Sequence, residues 1–349
     1  MTKLILSTSN VMNGGSSVIR RNGSEKSNEE LTTSLRSNIL AAQEDSYEAA
    51  DTNGTSLNGD GPVQVNGYPT RPPLSSWTTR EEPSTLYIPS IDWSLSGLAE
   101  ERSQYDLTVK LFYLPGIPAE RRCVQTQEAI QLVLKELNMP SVDLLIASFP
   151  GVAFCADEEE KGEQVQVAPC GGVESTSTSS AASEDSESSH DDEAEDIESI
   201  ARTWRSLETL QANGTVGKLG VSEFGSKRLQ QLLDRVKVRP AVDQINVRDC
   251  CVVPRPLISY AHGEGIELLT HNECTNILPR GTVRELLGPG EQGAGVLAGL
   301  PEGQNGSMTP NGLLKGDVEP QYVVKYTAVV RNRGVVENKG YFAMAELND

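Results

Sequence analysis

The stretch LETLQANGTVGKLGVSEFGSKRLQQLLDRVKVRPAVDQINV, residues 207–247, decides the fold. It opens on the end of a helix. Lys218 to Ser222 then reads as a strand. Ser226 is placed to cap the next helix, in which Leu229, Leu232, Leu233 and Val236 recur at helical spacing. Ala241 to Val247 reads as a second strand. Strand, helix, strand at this rhythm implies a right-handed parallel crossover. The same alternation extends to both sides. Upstream lie a strand over Leu107–Tyr113, a helix over Arg122–Asn138, a doubly buried strand over Val142–Phe149 and a helix over Ile197–Ala212. Downstream lie a short helix over Pro254–Gly263, a strand over Ile266–His271, a helix over Tyr322–Arg331 and a last strand over Gly334–Glu337. Leu4–Ser7 and Leu86–Ile88 supply two more strands, and eight strands close a (βα)8 TIM-type barrel. An open doubly wound sheet would carry a Gly-rich turn after its first strand, and the early part of the chain has none. The expectation is one barrel domain over residues 1–349.

Three stretches interrupt this pattern. Residues 10–80 are rich in Ser, Asn, Gly and Thr. Only Asn28–Gln43 reads as a helix there, and 44–80 is expected to be disordered. Residues 156–196 form an acidic, low-complexity insertion without an apolar face, with Ser-Glu-Asp contexts that suit an acid-directed kinase. Residues 288–318 read as a Gly-rich loop.

With 49 acidic and 30 basic residues, the net charge of −19 opposes nucleic acid and anionic membranes, both negative surfaces. No apolar run reaches the roughly 20 residues of a membrane span. Leu4 to Leu6 is too short for a signal-peptide core. The six cysteines make no Cys-x-x-Cys pair and there are three histidines, so no zinc site is expected. A cytoplasmic protein with reduced thiols fits this usage.

Barrel chemistry sits where strands end. The polar residues at those points are Lys110, Ser148, Ser222, Glu223, Gln244, Asn246, Arg248, Asp249, His271, Asn272 and Lys339. Singly, each also suits a cap or a solvated side chain; as a ring they suggest a ligand-sized cavity. LETLQANGTVGKLGVSEF followed by RPAVDQINV resembles the aldo-keto reductase family, as do VDLLIASFP and LTVKL. Lys110 matches that family's catalytic lysine. Ser222, Gln244 and Lys339 match positions that contact its NADPH cofactor. Four departures stand out. Ser148 occupies the place of the catalytic histidine. If Asp92 matches the family's aspartate, Gly97 occupies the place of the proton-donating tyrosine. Glu223 replaces a cofactor-contacting asparagine, and His271 replaces the ring-stacking tyrosine. Carbonyl reduction needs a proton donor beside the developing alkoxide, so the resemblance implies a degenerate reductase site with no catalytic residue and no required cofactor. The alternative is a surviving NADPH-dependent reductase or an NADPH-binding sensor.

VKLFYLPG, SVDLLIASFPG, GKLGVSEFGS, DQINVRDCCVVP, IELLTHNECTNILPRGTVRELLGPG and RNRGVVENKGYF together resemble, more narrowly, the family of regulatory (modifier) subunits of glutamate–cysteine ligase. This covers most of 105–287 and 318–345. The resemblance implies a noncatalytic member of a heterodimer. It would bind the catalytic subunit, improve its use of glutamate and relieve inhibition by glutathione. Such an effect is linkage, in which the regulator binds the active conformation better. LPGIPAERR lacks the Gly-Lys-Ser/Thr of an ATP-cradling loop, in keeping with nucleotide chemistry on the partner. The expected docking face holds Arg248, Asp249, Cys250 and Cys251, with His271 and Asn272 beside it, and Cys250, Cys251 or Cys274 could bridge to the partner on oxidation.

Overall fold

The computed structural model describes residues 1–13, 29–52, 64–65, 68–69, 71–81, 84–154, 194–247, 252–273, 276–290, 292–298 and 313–348. The stretch 207–247 folds as expected. Strand β6 (Val216–Ser222), helix α5 (Ser226–Leu233) and strand β7 (Val242–Asn246) form one parallel unit. Gly225, rather than Ser226, takes the N-cap position of α5, and no side chain bonds there. The unit repeats on both sides through β4 (Tyr105–Tyr113), α3 (Arg122–Leu137), β5 (Val142–Ser148), α4 (Ile197–Ala212), α6 (Arg255–Glu264) and β8 (Glu267–His271). The α4 start is fixed by Asp196, whose carboxylate accepts the Glu198 and Ser199 amides at 3.0 Å. β4 to β8 are five consecutive parallel strands.

The expected helix over Tyr322–Arg331 is instead part of strand β9 (Asp317–Val330), and the expected short last strand lengthens into β10 (Val335–Asn348). The physical reason lies in YVVKYTAVV, which is dense in β-branched and aromatic residues. Tyr322, Val324, Tyr326, Ala328 and Val330 enter one core while Val323 enters the other, a period of two rather than 3.6. The turn that joins β9 to β10 closes on Gly334 at φ 60, whose amide donates to the Val330 carbonyl at 2.8 Å.

The hairpin changes the rest of the sheet. β9 is antiparallel to β4, β10 to β9, and β1 (Thr2–Ser7) to β10. Three reversals leave β1 and its parallel neighbour β3 (Thr85–Ile88) running against β4–β8. A short β2 (Thr79–Glu81) ends that edge. The order is β8-β7-β6-β5-β4-β9-β10-β1-β3-β2. Leu4–Ser7 and Leu86–Ile88 are strands as expected, but among the described residues eight strands of one direction are not formed. The parallel αβ repeat is confined to residues 105–271.

Alternation along the strands separates two cores. Leu107, Val109, Leu111 and Tyr113 pack under α3 to α6. On the opposite face Phe112, Val323, Tyr341 and Ala343 pack with Leu31, Leu35 and Ile39 of α1 (Glu29–Thr52) and with Val283, Leu286 and Leu287 of α7 (Thr282–Leu287). Helix α1 runs past Gln43 into the 44–80 segment. Leu74–Trp77 and β2 are also placed there, and much of the remainder lies outside the described residues. Nearly all of 156–196 and half of 288–318 lie outside them as well.

Candidate functional site

The face that α1 and α7 cover also carries a band of polar side chains. Register sets its centre. Lys110 on β4 is paired with Lys325 on β9, and Lys325 with Tyr341 on β10. Two lysines opposite each other across strands repel. Glu273, two residues beyond β8, resolves this. Its Oε2 lies 3.1 Å from the Lys110 Nζ and its Oε1 bonds the Lys325 Nζ. Lys110 is 4% exposed and Glu273 6%, so water does little of the screening.

From Glu273 the network continues to the ends of β6, β7 and β8. The Glu273 amide donates to His271 Nδ1 at 3.1 Å. His271 Nε2 lies 2.7 Å from the Glu223 carboxylate and 3.1 Å from the Gln244 carbonyl. Both Nε2 partners are acceptors, which calls for a proton on that nitrogen. A second proton on Nδ1 would lie against Glu273 Oε2, also 3.1 Å away. Ser222 Oγ donates to the Gln244 carbonyl at 3.0 Å. Glu223 adopts φ 68, a conformation costly for a residue with a Cβ. Its Oε1 accepts the Asn246 amide at 2.6 Å and holds that conformation. At the other end Lys339 pairs with Glu30 in the first turn of α1, and the Tyr341 hydroxyl donates to the same carboxylate at 2.9 Å.

Burial pushes the Lys110 ammonium below its ordinary value, against the opposing pull of Glu273 and Glu223. Burial likewise raises Glu273, but the His271 contact and the charges of Lys110 and Lys325 outweigh it and hold the carboxyl well below the usual range. Glu30 moves down too, since Lys339, Lys325 and Tyr341 together overcome its desolvation. A carboxyl lowered on folding adds stability that is complete above its unfolded value, here 4.5, and is lost as pH falls through the folded one. Glu136, raised by burial, works in the opposite direction. We therefore expect urea unfolding midpoints to drop as pH is taken from about 6 to about 3, and Glu30→Gln to flatten that drop. A midpoint independent of pH over this range would contradict the assignment.

Of the residues singled out in the sequence, Lys110, Ser222, Glu223, Gln244, Asn246 and His271 come together in this network. Lys339 belongs to its far end. Asn272 is exposed, whereas the His271 side chain is 4% exposed and turned inward. Arg248, Asp249, Cys250, Cys251 and Cys274 lie outside the described residues. Ser148 shares the face of Lys110, paired with Phe112, and its buried Oγ has no hydrogen-bond partner. Asp92 and Gly97 line a cleft with Asn138, the residue that caps the far end of α3, and so lie away from the strand ends that carry Ser148 and His271. Sequence reasoning missed Glu273, Lys325 and Glu30. Reading 322–330 with a period of two would have placed Lys325 on a strand, on the face of Val323.

The band does not fit a dinucleotide. The two cations singled out for the reductase-type site, Lys110 and Lys339, are each held by an internal carboxylate. Ser222 Oγ is turned onto backbone. A phosphate there would also meet Glu223 and Glu273, both within a few per cent of full burial. Phosphate binding needs available cations or amide donors, and these groups are spent on one another.

A family model described as "Aldo/keto reductase family" matches residues 93–275. A putative glutamate–cysteine ligase regulatory subunit of Schizosaccharomyces pombe is 26% identical over 251 residues, covering 70% of this chain and 72% of that protein. The human glutamate–cysteine ligase regulatory subunit is 29% identical over 143 residues, 41% of this chain, which spans 45% of the human protein. The NADPH-dependent D-xylose reductase of Candida boidinii is 32% identical over 144 residues, 41% of this chain and 39% of that one. The solved aldose reductase of Schistosoma japonicum overlaps 52% of this chain and 50% of its own at 21% identity, with a TM-score of 0.30. No helix among the described residues is long and apolar enough to cross a membrane. Because the matched segment spans more than half of the chain and holds its parallel αβ repeat, the protein belongs to the aldo/keto reductase family, of the TIM-barrel-like α/β class.

Proposed function

We propose that the chain is a noncatalytic regulatory subunit of glutamate–cysteine ligase, acting by contact with the catalytic subunit in a cytoplasmic heterodimer. One observation carries the reading: the reductase-type site is closed by its own charges. Lys110 is neutralised by Glu273, and Ser148 stands where a histidine would support proton transfer. The names of the S. pombe and mammalian relatives agree with it. A regulator needs surface. Val252 is 74% exposed and Ile258 of α6 47%, and Asn272 is exposed just past β8. Exposed apolar residues that follow charged Arg248 and Asp249 in the sequence suit the core and rim of an interface.

The test is co-purification with the catalytic subunit. The chain is expected to be retained, and Arg248→Ala with Asp249→Ala to weaken association by about 2–4 kcal/mol if both are buried at the contact. Undiminished binding by that double variant would move the interface elsewhere. Failure of the unaltered chain to bind would remove the reading. The rival, an NADPH-dependent reductase or NADPH sensor, keeps the support of the family and of the xylose reductase relative. Quenching of tryptophan fluorescence on NADPH titration would favour it.

A further inference from the structure

A cleft of about 570 Å³ opens beyond the Lys339 end of the charged band, away from Lys110 and His271, within the size range of small-molecule sites. It forms where β1 and β3 end and β10 begins, against the α3 cap. Its lining carries three carboxylates, Asp92, Glu136 and Glu337, and no Lys, Arg or His. Two of its members are buried without the partner their chemistry calls for. Glu136 is 8% exposed, and its carboxylate meets only neutral hydroxyls, Ser96 at 3.2 Å and Tyr326 at 3.4 Å. Asn338 is 8% exposed, and its Oδ1 has no hydrogen-bond partner. A buried carboxylate without a cation and an amide oxygen without a donor both ask for N–H groups carrying positive charge. Among the described residues no group of three or more His, Cys, Asp or Glu is placed to hold a metal ion, and a cleft of this volume suits an organic cation.

We propose that this cleft binds a small organic cation through a primary ammonium group, held by the carboxylates of Asp92, Glu136 and Glu337 and by the Asn338 amide oxygen. An ammonium group supplies three donors and no acceptor, matching a lining of acceptors. The ligand's carbon chain would lie along Ile91, Leu95 and Leu98. Because burial holds the Glu136 carboxyl above its ordinary value, an arriving cation drives its ionisation, and affinity rises with pH across the carboxylate range. The inference is independent of any ligase partner.

Calorimetric titration of the full chain with cadaverine tests it, with pentanediol as the uncharged probe of the same length. Saturable binding at one equivalent is expected, with the diol at least about tenfold weaker. Glu136→Gln should weaken the diamine about tenfold and reduce the pH dependence to that of the remaining carboxylates. Asp92→Asn, on the exposed wall and keeping the Oδ1 that accepts from Ser94, should weaken it severalfold. Three results would overturn the proposal: no saturable heat with cadaverine, equal affinity for the diol, or diamine binding unchanged in both variants. The last would mark simple attraction to a chain of net charge −19.

Discussion

Replacing Glu273 by alanine is expected to destabilise the protein by about 3–5 kcal/mol, the usual cost of stripping one partner from a buried ion network. Lys110 and Lys325 sit opposite each other on adjacent strands, and Glu273 is the carboxylate that bonds both. Without it, two ammonium groups face each other with Glu223 at a distance and Phe112 and Tyr341 as their remaining neighbours. The His271 ring also loses the amide-anchored carboxylate on its Nδ1 side. A control separates loss of pairing from loss of packing. Changing Lys110 and Lys325 to Met and Glu273 to Leu together removes every charge of the trio while keeping volume, and such swaps are often neutral. The triple variant should therefore recover most of the stability lost in Glu273→Ala. Urea unfolding reads both. If Glu273→Ala unfolds within about 1 kcal/mol of the unaltered chain, the trio is not the strut described above.

Restoring the catalytic histidine by Ser148→His is expected to leave NADPH-dependent carbonyl reduction at background. In an active reductase a positioned acid contributes about 10²–10⁴ in rate, so a single missing residue would give a large gain on repair. Here more than one position departs from the family's pattern. Ser148 does share a face with Lys110, and its buried Oγ has space for no partner it now uses. Yet Lys110 is committed to Glu273, and Gly97, at φ 122, lies beside Asn138 at the other end of the sheet. A histidine at 148 would have no donor to support and no free lysine to tune one. Turnover of aldehydes rising about a hundredfold in this variant would show that the site is intact apart from one side chain.

The sequence made the parallel half of the fold legible because apolar periodicity there is strong and uninterrupted. Leu229 and Leu232 on α5, and the continuous run VDLLIAS on β5, admit one reading each. The C-terminal hairpin was not legible. Tyr322, Tyr326 and Val330 recur at helical spacing as well as at strand spacing, so the period is ambiguous, and β propensity had to arbitrate. That one misreading hid the centre of the candidate site, since Lys325 meets Lys110 only when both are on paired strands. Glu273 was hidden for another reason. It follows β8 by two residues, beyond the strand end where functional side chains were sought, and nothing local announces that its carboxylate folds back over the sheet. Glu30 was hidden by its place in a polar segment where α1 covers the band from outside the repeat. Ser222, Gln244 and His271 were found because strand ends are where such residues are sought, although the structure turns their bonds inward.

The account rests on contact in place of chemistry, and the rate of the glutamate–cysteine ligase catalytic subunit measures this most directly. Its glutamate- and cysteine-dependent ATP turnover, followed over a glutamate series with and without this chain, should show a lower KM for glutamate when the chain is present, with NADPH absent from the assay. An unchanged rate at every glutamate concentration, with the two chains together at saturating amounts, would contradict the account.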